Sequence, residues 1–93
     1  MKRASVILTF SGTLVADSFL AFVRHRADKL ELPFAVLASD QTAVAVAVAG
    51  QADLVDAFDM ACSLGPRDCI VLDVARAPAS SALFESRNER DGQ

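Results

Sequence analysis

Apolar residues alternate with polar or small ones over residues 4–10 (ASVILTF), where Val6, Leu8 and Phe10 share one face and Ser5, Ile7 and Thr9 the other. That period of two predicts a strand, broken at Gly12. The period then lengthens: Phe19, Phe22, Val23, Ala27 and Leu30 recur three and four apart, the mark of a helix with one buried face. Asp17 and Ser18 are its expected caps, and Pro33 ends it by removing a donor and restricting its predecessor. Residues 34–39 predict a second strand, with Asp40-Gln41-Thr42 as the turn. Residues 43–50 (AVAVAVAG) alternate strictly, placing Val44, Val46 and Val48 on one face and Ala43, Ala45 and Ala47 on the other.

After Gly50 the helical spacing returns. Leu54, Val55, Phe58, Ala61 and Cys62 form an apolar face, with Asp53, Asp56 and Asp59 opposite, and Gly65-Pro66 stops the helix. Residues 69–74 (CIVLDV) predict a fourth strand. The expected domain is 1–77, and 78–93 read as a mostly flexible tail in which Leu83 and Phe84 could dock as a short edge strand. Strand, helix, strand, strand, helix, strand with right-handed crossovers gives a ferredoxin-like α+β sandwich: a four-stranded antiparallel sheet with both helices on one face.

Bulk properties narrow the function without naming it. Ninety-three residues hold one modest core, and 53% hydrophobic content excludes a disordered chain. A net charge of −3 and a pI near 4.9 provide no basic footprint for nucleic acid. No apolar run is long enough to span a bilayer and none resembles a signal peptide, so the expectation is a cytoplasmic protein without membrane or nucleic-acid partners. Cys62 and Cys69 are too few and too close for a disulfide scaffold. His25 has no companion at ligand spacing, so neither a metal nor another cofactor is expected.

The apolar positions Phe19, Phe22-Val23, Ala27, Leu30 and Leu32 resemble the first helix of the acylphosphatase family. Ala57-Phe58, Cys62, Gly65-Pro66 and Cys69-x-Val71 resemble its second helix and last strand, so that the likeness spans roughly residues 5–76. The resemblance implies hydrolysis of carboxyl-phosphate anhydrides. In that family a glycine-rich loop and an Arg at the helix start cradle phosphate, and an Asn at the end of the second strand orients water. The family loop runs roughly Gly-Arg-Val-Gln-Gly-Val-Gly-Phe-Arg; here it is Gly12-Thr13-Leu14-Val15-Ala16-Asp17-Ser18-Phe19-Leu20. Gly12 and Phe19 are kept, Ala16 and Ser18 replace the inner glycines, and Leu20 stands at the Arg position. The Asn position falls on Leu37, or on Ala38 with a one-residue slip.

The expectation is therefore an acylphosphatase-like domain without catalytic residues, serving as a binding or assembly module. Its equivalent of the phosphate loop is Ala16, Asp17, Ser18 and Phe19. The alternatives are an active acylphosphatase using other residues, or a small-ligand sensor, the latter on fold analogy alone. Arg24, His25, Arg26 and Lys29 crowd one side of the first helix and are expected to be balanced in part by Asp28 and the acidic stripe of the second. The small outward face (Ala43, Ala45, Ala47, with Ile7, Leu37 and Val71 as expected neighbours) is flat and apolar, which predicts self-association or coverage by the tail.

Overall fold

The computed structural model describes residues 2–79, and the positions of Leu83 and Phe84 lie outside them. The elements are β1 (Arg3–Thr13), α1 (Ala16–Leu30), β2 (Phe34–Ser39), β3 (Ala43–Gln51), α2 (Ala52–Leu64) and β4 (Ile70–Pro78). The strands form one antiparallel sheet in the order β2-β3-β1-β4. This is the expected βαββαβ plait. No helix among the described residues is long and apolar enough to cross a membrane.

The predicted faces hold. Val6, Leu8, Phe10, Val44, Val46 and Val48 are buried with Phe19, Val23, Ala27, Val55, Phe58 and Cys62 in one core between sheet and helices. The rings of Phe10 and Phe19 meet edge to face with centroids 5.3 Å apart, joining β1 to the first turn of α1. The alanines of β3 occupy the other face. Ala47 lies between Ile7 of β1 and Ala35 of β2 and is fully buried.

Three boundaries differ from the expectation, each for a visible reason. β1 continues through Gly12, because a bulge at Leu72 of β4, between the Ser11–Asp73 and Gly12–Val71 pairs, keeps the strands paired as far as Thr13. β4 begins at Ile70, after Cys69, and runs on to Pro78, beyond the expected domain end. Ala75, Arg76 and Ala77 look like loop by composition, yet pair with Thr9, Leu8 and Ile7. Val71 packs on the core, not on the open alanine face.

The helix ends also differ. Neither Asp17 nor Ser18 caps α1; its N-cap is Val15, without a side-chain hydrogen bond. At the other end Pro33 is not the stop. Glu31 adopts a left-handed conformation (φ 56°), with its N–H on the Asp28 carbonyl and the Leu32 N–H on that of Ala27. That is a Schellman closure, completed by burial of Leu32, with Glu31 in the place glycine usually takes.

Candidate functional site

The segment that the resemblance sets against the family's phosphate loop joins β1 to α1 and is fixed by backbone contacts at its base. The Gly12 N–H donates to the Thr42 carbonyl (3.0 Å) and the Leu14 N–H to that of Gln41 (2.9 Å), tying the loop to the β2–β3 hairpin. The hairpin is held in turn by Asp40, whose carboxylate accepts from the Thr42 N–H, the Thr42 hydroxyl and the Ala43 N–H at 2.7–2.8 Å. The backbone bond from Thr42, then its hydroxyl and the Ala43 N–H, hold the Asp40 carboxyl below the usual range.

Gly12 is required here by space. A Cβ on it would stand 2.1 Å from the Ile70 carbonyl oxygen, and its φ of +153° already disfavours other residues. The Val15 N–H points at Cys69 Sγ, 3.3 Å away, so a donor that could face a ligand is occupied from within. Cys69 itself is buried.

Between loop and hairpin lies a shallow depression of about 490 Å³ lined by Leu14, Val15, Ala16, Asp17 and Gln41. Of the four expected loop residues, Ala16 and Asp17 line it. The Ser18 hydroxyl instead donates to Asp68 Oδ1 at 2.8 Å, and the Phe19 side chain is buried in the core. Asp17 is the only charged residue lining the depression. Leu20 packs half-buried against the core, and Leu37 is the exposed extra residue of a bulge in the edge strand β2.

Gln41, Asp68 and Cys69 join this region without having been expected there. Gln41 was legible in principle: a βαββ order puts the β2–β3 turn at the same end of the sheet as the β1–α1 loop. The contacts of Asp68 and Cys69 depend on how the α2–β4 connection folds back, for which no residue pattern is diagnostic.

Two solved structures superpose over most of the chain. An acylphosphatase from Bacillus subtilis matches with a TM-score of 0.75 at 22% identity, covering 86% of this chain and 88% of its own. An acylphosphatase from Coxiella burnetii matches with a TM-score of 0.75 at 22% identity, covering 84% and 82%. The fold is that of the acylphosphatases. No protein-family model matches the sequence, and no curated protein matches it.

The remaining charged groups of the acylphosphatase fold lie elsewhere. Arg76 of β4 reaches Asp56 Oδ1 (3.0 Å) and Asp59 Oδ2 (3.3 Å) of α2; these are the only ion pairs among the described residues. The acidic stripe is thus met by the last strand and not by α1, correcting the expected balance between the helices. Arg26 lies over the Phe22 ring, its Cζ 5.1 Å from the centroid. Burial pushes the Cys62 thiol up to about 12 against the opposing pull of Arg26, so it stays protonated and is a core residue. No group of three or more His, Cys, Asp or Glu side chains among the described residues could hold a metal.

Proposed function

We propose that this chain is an acylphosphatase-fold domain that does not hydrolyse acyl phosphates and acts as a binding or assembly module. One observation carries the reading: the depression at the phosphate-loop position is lined by a carboxylate, Asp17, and by no cation. Phosphoryl transfer needs positive charge against the phosphate oxygens, and a carboxylate opposes it. Leu20, half-buried against the core, and Leu37, out on the β2 edge, supply neither charge nor water orientation. The open face of the sheet, where Ala43 and Ala45 are partly exposed beside the buried Ala47, is the surface through which a second copy would assemble, since small apolar side chains lose little entropy on burial.

Hydrolysis of benzoyl phosphate by the purified protein, beside a Leu20→Arg, Leu37→Asn variant, tests the reading. Background rates for the natural chain support it; turnover well above background overturns it. In that event the second reading, an active enzyme with other residues, gains a first candidate in Gln41. Its carboxamide is the one neutral polar side chain lining the depression. Gln41→Ala would then abolish the turnover.

A further inference from the structure

The ladders fix which side chains face away from α1 and α2. Val6, Leu8, Val46 and Val48 pack under the helices, so Ser5 and Ile7 of β1, Ala47 and Ala49 of β3, and Ala35 of β2, the partner of Ala47, point to the other side. On that side Ala47 has 0% exposure and Ala35 only 6%, while Ala45 and Ala49, next along the same face, keep part of theirs. Side chains on one sheet face stand side by side, so neighbours shield a methyl from the flanks and leave its tip open. Full burial of Ala47 therefore calls for a layer above the β2–β3 half of the sheet. Both helices pack on the valine face, and the described connections are short and sit at the ends of the strands.

The chain holds a candidate for that layer in its own end. β4 runs to Pro78, and the Ala79 N–H still donates to the Ser5 carbonyl at 2.9 Å. Ser5 pairs with Ala49, so the chain leaves the ladder one row of side chains from Ile7, Ala47 and Ala35. Residues 80–93 follow. Fully extended at ~3.3 Å per residue they reach about 46 Å, against roughly 14 Å for the three strand spacings from β4 to β2. Leu83 and Phe84 are their only large apolar side chains, and polar or charged residues dominate from Glu85 to Gln93. A ring laid on alanine methyls buries a large apolar area without needing a pocket.

We propose that residues 80–93 fold back in cis over this face, with Leu83 and Phe84 on Ala35 and Ala47, and that they compete there with a second copy. A segment tethered at Ala79 meets the face at an effective concentration on the order of millimolar, so at micromolar protein the cis occupant holds it. The competition rests on the reading of the open face as the assembly surface; the docking does not.

Nuclear Overhauser cross-peaks in the full-length protein test the docking without any substitution. Cross-peaks from the Phe84 ring to the Ala35 and Ala47 methyls are expected, within one chain and unchanged on dilution. Leu83→Ser with Phe84→Ser should abolish the upfield displacement that the ring imposes on those methyls and leave the core valine signals in place. Absent cross-peaks, cross-peaks found only between differently labelled chains, or methyl shifts unchanged in the double variant would each overturn the docking. Sedimentation of the double variant then separates the two readings. Dimers at concentrations where the natural chain is monomeric support the competition. A double variant that stays monomeric, with the cross-peaks of the natural chain present, overturns the competition and the assembly surface while the docking stands.

Discussion

The two strand-to-helix passages of this chain have the same grammar and opposite electrostatics. At each, a strand carries a glycine of nearly mirror-extended conformation, Gly12 with φ 153° in β1 and Gly50 with φ 156° in β3, and the helix that follows has no side-chain N-cap. At the first passage the charge lining the depression is Asp17, and at the second a cleft is lined by Arg3 and Lys29 against Glu31. The lining carboxylate stands at the first passage, and the lining cations stand at the second. The difference teaches that one backbone arrangement, a strand glycine followed by an uncapped helix start, can be lined by charge of either sign.

The largest expected effect separates the two glycines. A Cβ at Gly12 would meet backbone, the Ile70 carbonyl oxygen at 2.1 Å and the Leu72 nitrogen at 2.9 Å, so β1 and β4 must part at their bulge. Gly12→Ala should cost on the order of 3 kcal/mol, read as a fall in the denaturant midpoint. At Gly50 the close atom is Leu32 Cδ2 at 2.4 Å, the end of a side chain that can turn aside. Gly50→Ala retains the backbone strain and should cost only about 1–2 kcal/mol. Equal losses would mean that the first passage is less tightly held than the contacts of Gly12 imply.

Much of the fold is legible in the residue pattern. Strict alternation in 43–50 and the three-and-four spacing after Asp17 left little choice of element, because a wrong period would expose every valine or phenylalanine of the core. The last strand was cut short because Ala75, Arg76, Ala77 and Pro78 have little intrinsic strand preference; pairing to β1 decides their conformation. The caps were misplaced for a related reason. Asp17 and Ser18 have cap chemistry, but the Gly12 and Leu14 N–H bonds to the hairpin fix the loop so that the helix starts earlier, at Ala16. The cleft at the second passage was out of reach of local reading, since its lining residues Arg3, Lys29 and Gln51 are distant in sequence.

A smaller effect sharpens the second passage. Glu31 holds a left-handed conformation that costs a non-glycine residue about 1 kcal/mol, and glycine at that position would relieve it. Part of the gain returns to the unfolded chain as entropy, so Glu31→Gly should raise stability by about 0.5 kcal/mol, seen as a small rise in Tm. The thiol of Cys62 gives a separate check on the intervening core. Its pKa of about 12 lies above the unfolded value, so the protonated thiol supports folding fully below about pH 8.5, and that support declines toward pH 12. Alkylation of Cys62 at pH 8 should proceed only at the rate of unfolding.

The smallest expected effect concerns how α2 is held beside the sheet. Asp56 is well exposed and Arg76 is 39% exposed, so their contact is screened by water and salt; Asp59, at 23%, is the better-shielded partner. Arg76→Gln should therefore cost about 0.5 kcal/mol at low ionic strength and nearly nothing in 1 M salt, where the Debye length is about 3 Å. A large, salt-independent loss would instead mean that the aliphatic stem of Arg76 carries the contact, packing on the flank of α2 while its guanidinium adds little. That outcome would make the α2–β4 seam a packing feature, and would leave the charge-assisted hydrogen bonds to Asp40 at the β2–β3 turn as the better-built electrostatic contact among the described residues.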